Sequence, residues 1–253
     1  MSAQATAPFD KIADRYDRSR GGEERGEQFA GVMDELLGDG PLLELGVGTA
    51  LVGGALARRG RDVCGVDVSA GMLGYARDRL PGRIALADVC RLPFKDASFA
   101  GCYAVWMLHL ASDVPTALAA VRRVLRPGGR LVVVPANNRP REDAIGQLVY
   151  AMQVRLLGER SDKGGAGELL RLAEKCGFTQ TDRRDLPQTY QHAPAAMARE
   201  IERRNFSSLQ DVGETEWREI VQPTIDALRA LPEAEVPRDR TTVHEAIVLE
   251  PAP

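Results

Sequence analysis

The stretch Leu42-Leu43-Glu44-Leu45-Gly46-Val47-Gly48-Thr49 decides the fold. Leu42 to Leu45 form a short, mostly apolar run that ends at Gly46, and this pattern predicts a short buried strand. Gly46 and Gly48 then allow a tight turn and a close approach of a ligand to the backbone. A helix is predicted over residues 50–59, and its first amide groups would point at the same ligand. Open parallel sheets bind their ligands at this place, beyond the carboxyl ends of the strands.

Outward from this stretch, strands and helices alternate. Ser69 is expected to cap the helix after the second strand. Four further strands are predicted before residue 135, at 63–68, 84–87, 99–106 and 131–134, with helices at 70–80 and 114–125. Two more strands are predicted at 178–185 and 242–249. This order predicts an α/β fold, a Rossmann-like doubly wound sheet of seven mostly parallel strands with helices on both faces.

A long segment separates the last two predicted strands. Residues 187–237 are too many for a simple loop, and helices are predicted within them at 194–204 and 214–230. We therefore expect a helical insertion before the last strand. The whole chain, 1–253, is expected to form one domain, which divides into an N-terminal helical lid (1–37), a ligand-binding half (38–135) and a substrate-side half (136–253).

The composition is that of an ordinary globular protein, with 44% apolar and 27% charged residues and a net charge of −3. Charges of both signs are spread evenly, which disfavours a nucleic-acid partner bound through a large basic field. The four cysteines are neither paired as CxxC nor spaced as a zinc site, so we expect no metal and a reducing, cytoplasmic setting. No apolar run is long enough for a membrane span.

Asp67 ends the second predicted strand, where an acidic side chain can accept hydrogen bonds from both hydroxyl groups of a ribose. Two cofactor classes use this arrangement. A dinucleotide site favours G-x-G-x-x-G, but Leu51 stands at the third glycine position. Glu44 would also repel a pyrophosphate, whereas it suits a ligand that carries an ammonium group and a positive sulfur. A nicotinamide oxidoreductase is therefore disfavoured.

At this point the chain resembles the class I S-adenosylmethionine-dependent methyltransferases, in their small-molecule branch of ubiquinone/menaquinone-methyltransferase-like enzymes. Five blocks carry the resemblance, in the family's order: Tyr16-Asp17, Glu44-x-Gly46-x-Gly48-Thr49, Gly65-Val66-Asp67-Val68-Ser69 with Met72, Ala87-Asp88-Val89 with Leu92-Pro93-Phe94, and Arg123 to Gly129. They fall within residues 9–134, about half of the chain. One position departs from the family pattern: Ala50 stands where a third glycine is frequent, and we expect the turn to form nevertheless.

The resemblance implies S-adenosyl-L-methionine as cofactor and S-adenosyl-L-homocysteine as product. Gly46 and Gly48 would pack against the methionine portion of the cofactor, with Glu44 shaping their loop. Trp106 would lie near the same portion.

The resemblance also assigns the adenosine portion. Asp67 would hold the ribose hydroxyl groups, and Val68 and Met72 would line the adenine face. Asp88 would accept a hydrogen bond from the adenine amino group, and the Val89 amide would donate to the ring.

The N-terminal lid and the acceptor side complete the expected site. Tyr16 and Arg20 would close over the cofactor, and a guanidinium group such as that of Arg20 suits its carboxylate. His109 and His192 are candidate bases for an acceptor that must lose a proton, although each also has a structural interpretation. Arg203 and Arg204 are expected to form a solvated face.

The expected function is methyl transfer to a small molecule through an O-, N- or C-nucleophile by in-line displacement. The Asn/Asp-Pro-Pro-Tyr/Phe motif of amino-methylating DNA and protein enzymes is missing after the fourth strand, which reads Ala104-Val105-Trp106-Met107. An RNA or protein methyltransferase and a non-catalytic cofactor-binding protein stay as alternatives. The sequence is compatible with a monomer or a homodimer, and its excess of arginine over lysine suggests a GC-rich bacterial genome.

Overall fold

The structure is a computed structural model and describes residue 17 and residues 22–135, 143–157 and 165–252. Its strands are β1 (Leu42–Leu45), β2 (Val63–Asp67), β3 (Ile84–Leu86), β4 (Phe99–Val105), β5 (Leu125–Val134), β6 (Phe178–His192) and β7 (Arg238–Pro251). They form one sheet in the order β3-β2-β1-β4-β5-β7-β6. Neighbours from β3 to β5 run parallel, and β7 is antiparallel to β5. The predicted seven-stranded, mostly parallel sheet is confirmed.

The helices are α1 (Gly22–Leu36), α2 (Leu51–Arg58), α3 (Ala70–Arg79), α4 (Val114–Val124), α5 (Ala144–Leu157), α6 (Ala166–Lys175), α7 (Pro194–Glu202), α8 (Glu214–Glu216) and α9 (Gln222–Arg229). The predicted cap of α3 is confirmed, because the Ser69 side chain accepts a hydrogen bond from the Met72 amide. Short 3-10 turns lie at Val89–Arg91, Leu108–Leu110 and Ser207–Leu209.

Hydrophobic residues cover both faces of the sheet. Successive side chains of a strand point to opposite faces, and Leu42 and Leu43 accordingly belong to two different core clusters. In β5, Val132 and Val134 join the cluster of Leu42, whereas Val133 joins that of Leu43. Burial on both faces is the reason that these strands read as continuous apolar runs rather than as alternating ones.

The chain divides into two compact units. The sheet unit comprises the described parts of 1–137, 163–186 and 243–253, and the helical unit comprises those of 138–162 and 187–242. The boundaries fall inside β6 and β7. Both strands are longer than their predicted ranges of 178–185 and 242–249, so residues 187–192 of the predicted helical insertion are strand.

The helical unit has its own core, which includes Ile145 of α5, Ile201 of α7 and Ile225 of α9. Sequence alone predicts one helix over 214–230, but the structure has a π-helical turn at Trp217–Val221 between α8 and α9. Pro223 accounts for the interruption, because it has no N–H to donate to the carbonyl group four residues earlier.

The carbonyl group four residues before Pro223 is that of Glu219. Its oxygen accepts a hydrogen bond from the Arg155 side chain at 3.1 Å instead. Among the described residues, no helix is both long and apolar enough to cross a membrane.

Candidate active site

The glycine loop between β1 and α2 has the backbone conformation that its sequence predicts. Gly46 and Gly48 both have positive φ angles, of 62° and 55°. A Cβ atom at Gly46 would also lie 2.7 Å from the Met107 side chain, so space and conformation both require glycine there. Around the Cβ position of Gly48 there is open space to at least 4 Å. The loop therefore leaves open space beside the half-buried backbone of Gly48, which a ligand can approach closely.

Ala50 completes this turn in the left-handed region, with φ 60° and ψ 37°, immediately before α2. An L-residue other than glycine pays a steric cost of roughly 1–2 kcal/mol in this conformation. The amide of Ala50 donates to the Val47 carbonyl oxygen at 2.8 Å, and its methyl group is fully buried. Packing and this hydrogen bond hold the turn in the shape that a glycine would adopt, as we expected.

Asp67 links the glycine loop to the end of β2. Its Oδ2 atom accepts a hydrogen bond from the Gly48 amide at 2.8 Å, and its Oδ1 atom accepts one from the Ser69 amide at 2.9 Å. The two amides fix the orientation of the carboxylate. Each carboxylate oxygen can accept more than one hydrogen bond, so these contacts are compatible with two ribose hydroxyl groups as further donors.

The residues predicted to surround an adenine ring follow β2 and β3. Val68 is 44% exposed although it is apolar, whereas the Met72 side chain is buried. Asp88 precedes the 3-10 turn Val89–Arg91 and accepts a hydrogen bond from the Cys90 amide at 2.9 Å. Val89 is the first residue of that turn, a position whose amide has no partner within the turn itself. An exposed apolar surface beside oriented polar groups suits a planar base.

Glu44 points into the protein instead of into open space. It is buried, and its Oε2 atom accepts a hydrogen bond from the Tyr103 hydroxyl group at 3.1 Å. Burial raises the pKa of Glu44 to about 8, although hydrogen bonds from Tyr103 and the Gly53 backbone and the charge of Arg25 oppose this change. The carboxyl group ties α2 to β4 behind the glycine loop. This placement agrees with a role in shaping the loop.

Trp106 follows β4 and has a positive φ of 53°. Its ring contacts those of Phe29 and His244 at centroid distances of 5.4 and 4.9 Å, and the guanidinium carbon of Arg25 lies 5.1 Å from its centroid. The indole Nε1 atom is buried and has no hydrogen-bond partner among the residues that the structure describes. The indole N–H is therefore a buried donor that these residues leave unsatisfied.

The two candidate bases lie in different units. His109 is part of the 3-10 turn Leu108–Leu110 in the sheet unit, and His192 ends β6 in the helical unit. Tyr16 and Arg20 lie outside the described residues. Within the described part of the chain, no three His, Cys, Asp or Glu side chains are grouped as metal ligands.

The comparisons with known proteins agree with this geometry. The pattern of a family described as "Methyltransferase domain" matches residues 43–133. A demethylmenaquinone methyltransferase of Thermobifida fusca is 32% identical over 161 residues, which are 59% of this chain and 68% of the relative. The chain belongs to the class I S-adenosylmethionine-dependent methyltransferases.

A second relative of this methyltransferase is the malonyl-[acyl-carrier protein] O-methyltransferase of Serratia marcescens, which is 33% identical over 132 residues, 51% of each protein. The chain thus spans between about half and two thirds of these two relatives' lengths. A solved SAM-dependent methyltransferase from Thermotoga maritima has a TM-score of 0.56 at 19% identity, covering 95% of this chain and 97% of its own. This likeness confirms the Rossmann-like fold.

The cofactor of this methyltransferase is S-adenosylmethionine. The residues at the glycine loop fit it, because there is open space at Gly48, the Gly48 amide orients the acceptor carboxylate of Asp67, and the Val68 side chain is exposed. The roles of the individual site residues stay predictions.

Sequence reasoning missed several residues that hold this site together. The Arg79 guanidinium donates to the Thr49 carbonyl oxygen and to Asp17 Oδ2, both at 2.8 Å, and the Thr49 hydroxyl donates to Asp17. This network ties residue 17 to the glycine loop. Tyr103 gives one usable signal, since a tyrosine inside an apolar central strand needs a buried partner for its hydroxyl group. Arg79 gives none, because arginine is ordinary in the last turn of a helix.

Proposed function

We propose that this methyltransferase transfers the methyl group of S-adenosylmethionine to a small-molecule acceptor. The observation that carries the proposal is the hydrogen bond between the Gly48 amide and Asp67, because it joins the two elements that would hold the methionine and ribose portions. The names of the two relatives support a small acceptor or one carried on a protein.

The residues assigned from sequence have distinct proposed roles. Asp67 accepts from the ribose hydroxyl groups, Val68 and Met72 flank the adenine, and Asp88 and the Val89 amide hydrogen-bond its edge. The exposed side of Val68 and the anchored carboxylate of Asp67 support this arrangement.

The methionine portion is proposed to contact Gly46, Gly48 and the Trp106 indole, while Glu44 acts from behind the loop. When bound, the cofactor supplies a methyl group already activated by a positive sulfur. The protein's remaining work is to position the acceptor and exclude water, which can account for most of a rate enhancement of this kind. Tyr16 and Arg20 are proposed to complete the N-terminal lid.

An acceptor that loses a proton needs a base, and His109 and His192 are the proposed candidates. Residues 136–253 are proposed to form the substrate side. Free thiols on all four cysteines support a reducing cytoplasmic setting, and a monomer or homodimer is proposed.

Calorimetry with S-adenosylmethionine and S-adenosylhomocysteine tests the cofactor half, with NADH as a control. We expect micromolar binding of both sulfur compounds and none of NADH. A screen of small hydroxyl, amine and acidic-carbon compounds then tests the acceptor class. Turnover on RNA that falls steeply with salt would instead favour the nucleic-acid alternative, and cofactor binding with no turnover on any acceptor would favour a non-catalytic protein.

A further inference from the structure

Inside the helical unit, β6 and β7 present two different faces. The hydroxyl groups of Thr189 and Thr241 lie 3.1 Å apart, and Gln191 donates to Asp239 at 3.1 Å, so these exposed residues are opposite one another across the two strands. Side chains alternate along a strand. Residues 190, 192 and 240 therefore belong to the other face, which carries buried and half-buried polar groups.

Arg240 is the centre of this second face and is only 3% exposed. Its Nε and Nη2 atoms donate to the two oxygens of Asp143 at 2.8 and 3.1 Å, and its guanidinium carbon lies 5.5 Å from the centroid of the Tyr190 ring. Its third nitrogen, Nη1, is buried and has no hydrogen-bond partner among the described residues. A buried charged group with an unused donor is costly, and a ligand oxygen would remove this cost.

His192 lies on this second face of β6, and Glu200 of α7 is its neighbour. The His192 ring centroid is 6.2 Å from that of Tyr190, and its Nε2 atom is 3.4 Å from Glu200 Oε1. Both side chains are largely enclosed, with exposures of 15% and 17%. Within the described residues, neither the buried Nδ1 atom of His192 nor the buried Oε2 atom of Glu200 has a hydrogen-bond partner.

The carboxylate of Glu200 sets the chemistry of this histidine. A carboxylate beside one ring nitrogen favours the proton on that nitrogen and leaves the other nitrogen as an acceptor. Glu200 faces Nε2, so the contact favours the tautomer in which Nδ1 is the acceptor. This is the arrangement in which an acidic residue orients a histidine that accepts a proton.

We propose that the helical unit contains a binding site for a small molecule with an acidic hydroxyl group and a second oxygen atom. His192 Nδ1 accepts the hydroxyl proton: the O–H bond breaks, an N–H bond forms, and the electron pair stays on the oxygen. Glu200 is a positioning residue that stabilises the resulting imidazolium, and Arg240 Nη1 donates to the second oxygen. This proposal rests on the proposed function in one respect, namely that the bound molecule is the methyl acceptor.

The charges favour a neutral hydroxyl compound over a preformed anion. Asp143 already compensates Arg240, and Glu200 adds a negative charge, so a carboxylate or phosphate would meet repulsion. A phenol or enol enters without charge. Its proton then neutralises the histidine–glutamate pair while the oxyanion forms inside the site.

The chain has only three histidines, which makes a direct test practicable. Long-range 1H–15N correlation spectra of the 15N-labelled protein show each imidazole, and His192→Gln assigns the signals of residue 192. We expect a proton on Nε2 and none on Nδ1. Glu200→Gln should move these signals, whereas Glu202→Gln should not, because Glu202 is an exposed residue of the same helix that pairs with Arg229. The signals of His109 and His244 report whether each variant folds.

The ligand class is tested with 4-nitrophenol, whose phenol and phenolate forms absorb differently and whose nitro group offers oxygens to Arg240. We expect binding to protonate His192 and to increase the phenolate band, and His192→Gln to weaken binding about tenfold. The matched compound 4-nitroanisole, which has no proton to lose, should produce neither change.

Three results would overturn the proposal: a proton on Nδ1 of His192 in the free protein, equal effects of the two glutamate variants, or no response of His192 to 4-nitrophenol. Each measurement is made without the cofactor. A failure here is therefore separate from a failure of S-adenosylmethionine to bind, which would refute the proposed function.

Discussion

The Tyr103 hydroxyl group donates a hydrogen bond to Glu44 Oε2 at 3.1 Å, and both side chains are buried between β1, β4 and α2. The pair packs against α2, since a Cβ atom at Gly53 would overlap Oε2 of Glu44. Any larger residue at position 53 would displace the carboxyl group. The glycine loop is thus supported from inside the protein by a buried carboxyl group.

The raised pKa of Glu44, about 8 against an ordinary 4.5, predicts a pH-dependent stability. Between these two values the folded protein keeps a proton that the unfolded chain has lost. Stability from this group is therefore fully present below about pH 4.5 and declines as the pH rises towards 8, by up to roughly 1.4 kcal/mol per pH unit. Glu44→Gln should remove this component in urea unfolding measured from pH 5 to 8.

The control is Glu35→Gln, which changes an exposed carboxylate of α1. That variant should keep the pH dependence of the wild-type protein. If Glu44→Gln also kept it unchanged, the carboxyl group would be ionised in the folded protein and the prediction would be wrong.

Asp67→Asn should weaken the binding of S-adenosylmethionine and S-adenosylhomocysteine at least about tenfold, because charge-assisted hydrogen bonds are stronger than those of a neutral amide. An amide group also cannot accept from both Gly48 and Ser69, since one of its two polar atoms is a donor. Calorimetry measures the effect. Asp62→Asn, which breaks an exposed ion pair with Arg83, should bind both compounds as the wild-type protein does.

Ala50→Gly should change the free energy of unfolding by less than about 0.5 kcal/mol. Relief of the left-handed conformation contributes about 1 kcal/mol, and the loss of a buried methyl group offsets about 0.8 kcal/mol of this gain. Ala50→Val should destabilise the protein by about 3 kcal/mol, because a β-branched side chain is both strained at this φ and too large for the site. Equal stability of the two variants in urea would contradict this account of the turn.

Arg204→Ala should destabilise the helical unit by about 2 kcal/mol. Its Nη1 atom donates to the Leu209 and Val212 carbonyl oxygens at 2.5 and 3.0 Å, and its guanidinium carbon lies 4.3 Å from the Trp217 ring centroid. Hydrogen bonds from a charged donor and a cation–π contact together account for this magnitude. The exposed neighbour provides the control: Arg203→Ala should change stability by less than about 0.5 kcal/mol. Thermal unfolding of both variants distinguishes the two positions.

The sheet and its ligand edge could be predicted because their signals are local. Short apolar runs, the positive-φ glycines and the Ser69 cap each act within a few residues of chain. The last part of β6 and the first part of β7 could not be predicted. Their polar residues pair with each other across about 50 residues of sequence, as in the Gln191–Asp239 hydrogen bond.

Tertiary contacts explain the remaining differences. Arg203 and Arg204 look alike in sequence, and we predicted a solvated face for both. Arg204 instead lies against Trp217, so that expectation was wrong for one of the two residues. The partners of Glu44 and Arg240 likewise come from distant elements, and no pattern in the sequence pairs them.

The left-handed backbone at Ala50 shows what the glycine-rich motif specifies. The family's usual third glycine is required by a left-handed φ angle at this position. Here alanine adopts the same angle at a tolerable steric cost. A search that requires the letter G at each position would pass over this chain. A search that scores the allowed φ values, and accepts alanine where packing encloses only a methyl group, would retain it.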